Sequence, residues 1–172
     1  GWLHTGDRGY ICKEDPDYLY VTGRFKSLLI SSDGEKYSPE GYEDNLAVVS
    51  KYIDNVILHN NQSPYTIVLV VPNKEALSAA APGDKEAQLR LIQADVDSYR
   101  KGGIRAGRFP EKWLPTAIVV CEEPFTEKNG LVNSTGKVVR GKVEKHFEKR
   151  IEYAYTPEGK QLINPQNMAA LD

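Results

Sequence analysis

Tyr65-Thr66-Ile67-Val68-Leu69-Val70-Val71 is the stretch on which the fold class turns. From Ile67 to Val71 every residue is apolar, and all but Leu69 are β-branched. β-Branched side chains fit a pleated strand better than a helix. A strand with one wet face alternates apolar and polar residues, and this one does not. It therefore reads as a central strand covered on both faces.

The neighbouring segments are read outward from it. Ile53–His59 reads as a neighbouring strand, joined to the central one by the polar turn Asn60-Asn61-Gln62-Ser63-Pro64. Residues 73–80 read as a short helix. Pro82-Gly83-Asp84 starts a longer one, with Leu89, Ile92, Val96 and Tyr99 on one face. Gly102-Gly103 ends it. Residues 117–121 form another strand, residues 126–135 a loop, and Val139, Val143 and Phe147 mark a last amphipathic helix. Toward the N-terminus, Leu28-Leu29-Ile30 is a short buried strand. Ser38-Pro39-Glu40 combines an N-cap serine, a proline in the first turn and an early acid, which together predict a helix to about Ser50. Residues 9–23 read as a hairpin around the acidic turn Glu14-Asp15-Pro16-Asp17. Residues 156–172 read as an irregular tail. The expected class is α+β: a small mixed or antiparallel sheet with packed helices, preceded by a β-hairpin.

The chain has 172 residues, 22 Lys+Arg against 24 Asp+Glu, and a net charge of −2. That length suits one domain, or one domain plus a fragment. Near-neutral charge gives no electrostatic case for nucleic acid. No apolar run reaches the ~18 residues of a membrane helix. Cys12 and Cys121 are too few for a disulfide framework, and His4, His59 and His146 lie far apart with no ligand spacing. No metal site and a cytoplasmic setting are therefore expected. The chain opens on Gly1-Trp2-Leu3, which suggests a piece of a longer protein. Its total charge hides an asymmetry. Residues 1–50 carry five basic and nine acidic side chains, whereas residues 127–150 carry seven basic and three acidic. The basic set reads first as a solvated helix face.

Three segments carry chemistry. In Trp2-Leu3-His4-Thr5-Gly6-Asp7, a carboxylate follows glycine in a tight turn, where it can accept two hydrogen bonds from a vicinal diol. Thr-Gly-Asp is also a common turn. In Gly23-Arg24-Phe25-Lys26, Arg24 offers a planar fork to phosphate or ribose oxygens, or to a surface carboxylate. In Asn133-Ser134-Thr135-Gly136-Lys137, a glycine turn delivers a lysine at the start of a helix. Asn133-Ser134-Thr135 also matches a glycosylation pattern. The run from Gly130 to Lys137 is not a nucleotide-triphosphatase phosphate loop. Five residues separate its glycines instead of four, and Val138 stands where a hydroxyl would bind Mg²⁺.

Together and in this order, the three segments resemble the C-terminal part of the adenylate-forming enzymes, which include acyl-CoA synthetases, luciferases and peptide-synthetase adenylation domains. The loop Ser31-Ser32-Asp33-Gly34-Glu35-Lys36 is most similar to the long-chain fatty acid–CoA ligase branch. The resemblance implies roles for particular residues. Asp7 would bind the ATP ribose, and Arg24 ribose or phosphate. Lys26 would sit at a hinge. Ser32, Asp33, Gly34, Glu35 and Lys36 would line the CoA tunnel after the domain rotates. Lys137 would act in adenylation, with Thr135 and Gly136 positioning it.

The implied organisation is residues 1–25 as the trailing segment of a large AMP-binding domain, 26–150 as the mobile C-terminal domain and 151–172 as a tail. The implied activity is acyl adenylation, then thioester formation. Its substrates are fatty acid, ATP and CoA, with Mg²⁺ serving the full-length enzyme and nothing bound tightly by this piece. The pyrophosphate loop and acyl pocket would lie in the large domain, so the piece alone is expected to be inactive. Peripheral attachment of the full-length protein to a membrane stays open. Two alternatives are an adenylation domain that loads a carrier protein, and a non-catalytic module whose basic helix binds an acidic partner.

Overall fold

The computed structural model describes residues 4–24 and 27–172. In chain order the elements are β1 (Asp7–Ile11), β2 (Leu19–Arg24), β3 (Leu29–Ser31), β4 (Lys36–Tyr37), α1 (Glu40–Val49), β5 (Ile53–His59), β6 (Asn61–Ser63), β7 (Ile67–Pro72), α2 (Lys74–Ala80), α3 (Lys85–Asp97), β8 (Ala117–Val120), α4 (Arg140–His146), α5 (Glu148–Ala154) and α6 (Pro165–Ala169).

β7 lies at the centre of a three-stranded sheet, antiparallel to β5 and parallel to β8. All six of its residues are buried. Because strand side chains alternate, its apolar run divides between two cores. Val68 and Val70 pack with Leu46 of α1, Leu77 of α2, and Leu89, Ile92 and Val96 of α3. Ile67, Leu69 and Val71 pack with Leu131, Val143, Phe147 and Ile151 on the other side. The fold is thus α+β with helices on both faces, as the apolar run requires.

A second small sheet has the order β4-β3-β6. β6 occupies what reads in sequence as a polar turn. Asn61 and Ser63 pair in parallel with Ile30 and Ser31. The buried Asn60 side chain fixes this corner, accepting from the Ser63 N–H at 3.0 Å and donating to Thr66 Oγ1 at 3.1 Å. A ladder needs only backbone groups, so a strand without an apolar face leaves no periodic signal.

The β1–β2 hairpin forms where expected. Its apolar side chains stay exposed: Tyr10, Ile11, Tyr18, Leu19, Tyr20 and Val21 all keep half or more of their surface. Such an isolated two-stranded ribbon is at best marginally stable on its own.

Three further details differ from the sequence expectation. The N-cap of α1 is Pro39 rather than Ser38, and no side chain caps it; the Tyr42 and Glu43 N–H groups bond to the Pro39 carbonyl. The last helix is two helices, α4 and α5, which meet at the buried Phe147. Residues 156–172 are not irregular throughout. They include α6, whose N-cap Asn164 accepts from the Asn167 N–H at 2.9 Å. Asn167, almost fully buried, then works as a stand-in strand. Its Oδ1 accepts from the Val120 N–H at 3.0 Å and its Nδ2 donates to the Ile118 carbonyl at 2.9 Å. Both groups belong to β8, which ends the order of the central sheet, so one amide side chain satisfies backbone that an edge leaves unpaired. Local hydrophobic periodicity cannot reveal that.

Leu69→Ala should lower the unfolding free energy by about 2–5 kcal/mol through the cavity it leaves. Asn167→Ala should lower it by about 1–3 kcal/mol by orphaning two buried backbone groups. Urea unfolding of each variant checks both values.

Candidate functional site

The turn that carries Lys137 is closed by an antiparallel bridge between Val132 and Val138. The Asn133 N–H donates to the Lys137 carbonyl at 2.9 Å, and the Gly136 N–H to the Asn133 carbonyl at 2.9 Å. The Asn133 side chain does the rest. Its Oδ1 accepts from the Thr135 N–H at 3.0 Å, the Thr135 hydroxyl at 2.8 Å and the Lys137 N–H at 2.9 Å. Gly136 sits at φ +76°, with open space where a Cβ would be. The requirement for glycine there is conformational, not steric. Thr135 and Gly136 thus shape the turn. Asn133 is the organiser that the sequence reading passed over as a glycosylation pattern; an Asx residue four positions before the lysine was the available signal.

The Lys137 side chain is exposed. Among the described residues, no carboxylate lies within ion-pair distance of it. Behind it, the chain is anchored twice. The Val139 N–H donates to the carbonyl of the buried Leu131 at 2.8 Å. Arg140 then turns inward. Its Nη2 reaches both oxygens of Glu43, at 2.8 and 2.7 Å, and its Nη1 donates to the Leu58 carbonyl at 2.7 Å. Glu43 Oε1 also accepts from the Leu58 N–H at 2.6 Å. Burial pushes the Glu43 carboxyl up, while Arg140 and the Leu58 N–H pull it back. The basic set is therefore not simply a solvated face: Arg140 is spent on Glu43, and Arg150 bonds to the Val120 and Gln166 carbonyls at 2.6 and 3.0 Å.

Lys137, Asn133 and Arg140 line one side of a cleft of about 900 Å³, and Ser27, Glu40, Glu43, Asp44 and Asn55 are among the residues lining the rest. The cleft pairs a cationic turn with the acidic face of α1.

The loop after β3 is a separate feature. The Ser31 N–H donates to the Glu35 carbonyl and the Gly34 N–H to the Ser31 carbonyl, both at 2.9 Å. Asp33 accepts from the Ser31 hydroxyl and from the Glu35 N–H, and these bonds hold its carboxyl below the usual value. Gly34 is in the left-handed region at φ +83°. Ser32, Asp33, Gly34 and Lys36 are exposed. Glu35 is tied back instead, by an ion pair with Lys112 and by the Trp113 indole N–H at 3.3 Å. This loop borders a smaller cleft of about 270 Å³ with Asn60, Thr66, Arg100 and Lys112. The two clefts share no lining residue.

Asp7 is exposed at the start of β1, opposite Arg24 of β2 in the backbone register. The Arg24 side chain and all of Lys26 lie outside the described residues. The loop after β3, the Asp7 turn and the lysine turn are thus three separate features along one chain.

The family model described as the AMP-binding enzyme C-terminal domain matches residues 26–159. The chain belongs to this family. It is 29% identical over 165 residues to long chain acyl-CoA synthetase 8 of Arabidopsis thaliana, covering 90% of this chain and 22% of that one. Among solved structures, it resembles the adenylation domain of a carboxylate reductase from Mycobacterium chelonae, with 28% identity, TM-score 0.73, and coverage of 88% of this chain and 22% of that one. The corresponding domain from Segniliparus rugosus, solved with AMP and a co-purified carboxylic acid, has 25% identity, TM-score 0.67, and coverage of 88% and 23%. The chain spans about a quarter of the length of these relatives.

Gly136→Ala should cost about 1–2 kcal/mol, because a Cβ is strained at this φ. Asn133→Ala should leave global stability within about 1 kcal/mol while unstitching the turn. Amide hydrogen exchange should then speed up at Thr135 and Lys137 and stay unchanged in β7.

Proposed function

We propose that this chain is the mobile C-terminal portion of an ATP-dependent long-chain fatty acid–CoA ligase. The observation that carries the reading is Lys137: an exposed ammonium on a turn held by its own asparagine, with no carboxylate partner among the described residues, in a chain of the AMP-binding C-terminal family. Such a cation is available to an external anion.

In adenylation, a carboxylate oxygen of the fatty acid attacks the α-phosphorus of ATP. A new P–O bond forms, the bond to the β-phosphate bridge breaks, and pyrophosphate leaves with the electron pair. Two anions must meet for this to happen. The Lys137 ammonium can donate to a carboxylate oxygen and a phosphate oxygen together, stabilising charge as it develops. In the second step, the CoA sulfur attacks the acyl carbon and AMP departs. That step needs no cation at the same place. Rotation about Lys26 would withdraw Lys137 and present the loop from Ser32 to Lys36 to the CoA arm. Gly34, at positive φ on an exposed loop, supports that use.

Asp7 and Arg24 would contact the ribose and phosphates. Residues 1–25 would belong to the large domain, and the exposed apolar hairpin supports this, since its Leu19, Tyr20 and Val21 await a covering surface. Residues 26–150 would form the moving body. α6 packs onto that body, so the segment after residue 151 would travel with it. ATP, Mg²⁺ and CoA are assigned to the full-length enzyme. Among the described residues, no group of three His, Cys, Asp or Glu side chains is placed to hold an ion. No helix among them is long and apolar enough to cross a membrane.

In the full-length enzyme, Lys137→Ala should abolish acyl-adenylate formation, measured by pyrophosphate exchange, while thiolation of pre-made adenylate continues. Equal loss of both steps contradicts the role. Lys26→Pro fixes φ at the hinge and should spare adenylation but block thiolation. The isolated 172-residue chain should form no acyl-CoA.

A further inference from the structure

Glu43 and Arg140 are the deepest ion pair near the lysine turn, with side chains 11% and 19% exposed. Taking two charges out of water is costly, and an apolar pair of similar size would hold α1 to the sheet at least as well. What the ion pair adds is geometry. A guanidinium that forks onto both oxygens of a carboxylate is fixed in direction as well as in distance. Here the fork is locked further, because Leu58 of β5 donates to Glu43 through its N–H and accepts from Arg140 through its carbonyl.

This lock reaches Lys137 through a short, fully restrained path. Arg140 is three residues beyond the lysine. Of the two residues between them, Val138 is bridged to Val132, and Val139 donates to Leu131. On its other side, Lys137 is held by Asn133. One turn before Glu43, at the start of α1, Glu40 accepts from the Ser27 hydroxyl at 3.0 Å. Residues three apart on a helix share a face. One face of α1 therefore grips residue 27 through Glu40 and the lysine turn through Glu43.

We infer that Glu43 and Arg140 are positioning residues for Lys137, and that α1 is a strut that ties the segment following residue 26 to the lysine turn. The inference rests on the reading of Lys137 given above. It assigns the buried pair a task that core packing alone does not need. Lys137 is carried as part of a rigid body, and its ammonium arrives at the reacting anions in one orientation rather than many. Small misplacement of such a group is expensive in rate.

The test uses the full-length enzyme and the double variant Glu43→Gln/Arg140→Met. It removes both buried charges together, so no lone charge is left to unfold the domain, and the glutamine carbonyl still serves the Leu58 N–H. The expected result is a fall of about tenfold or more in kcat for adenylation. KM for ATP and fatty acid, the rate of thiolation from pre-made adenylate and the melting temperature should stay close to wild type. Arg140→Lys, which keeps the charge but not the fork, should recover part of the lost kcat. Normal adenylation in the double variant, with Lys137→Ala still inactive, overturns the strut and leaves the lysine assignment standing. An equal drop in adenylation and thiolation also overturns it, by showing general damage. Normal adenylation in Lys137→Ala removes the lysine reading and the strut together.

Discussion

A strand with no polar face has to be covered twice, and the rest of this domain follows from that constraint. β7 buries all six residues, with β-branched side chains directed alternately into two cores. One core recruits α1, α2 and α3; the other recruits α4 and α5. The exposed polar features are thereby displaced to where the layers end: the turn before α4, the loop after β3 and the acidic face of α1. A buried core of this kind is a stiff mounting, since close-packed interiors transmit displacement rather than absorb it.

The same constraint explains why polar side chains at the seams matter so much. Asn167 closes the edge of β8, Asn60 holds the corner between β6 and β7, and Asn133 stitches the lysine turn. Each replaces backbone pairing where regular structure stops. Glu43 and Arg140 do the equivalent between layers, crossing from α1 to the start of α4 over β5. Lys137 is left as the exposed cation at the end of this chain of restraints, which suits a group that must meet a ligand held elsewhere.

The sequence carried the parts of this that burial determines. The run from Ile67 to Val71, the spacing of Leu89, Ile92 and Val96, and the hairpin all appear in the structure as read. Of the candidate site, the glycine turn that carries Lys137 was legible from residue type and order, and the family was legible from three motifs in sequence. What stayed hidden depends on long-range polar contacts. No local pattern says that Glu43 will meet Arg140 across 97 positions, or that Asn167 will pair with β8 across 47. α6 was missed because the buried Asn167, beside the apolar contacts of Met168 and Ala170, docks it through bonds to a strand far away in sequence. Glu35 reads as one residue of a polar loop but is tied back by Lys112 and Trp113, 77 and 78 residues further on.

The central claim is that Lys137 rides on a rigid body. The most direct measurement is a pair of spin-label distances in the full-length enzyme, with Cys12 replaced by serine. One label goes on the highly exposed Val48 of α1 and one on Ser134 in the lysine turn; a second pair links Val48 to the large domain. Between the ATP-analogue and CoA-bound states, the distance from Val48 to Ser134 should stay constant while the cross-domain distance changes. A Val48–Ser134 distance that shifts between states while the cross-domain distance holds still would contradict the account.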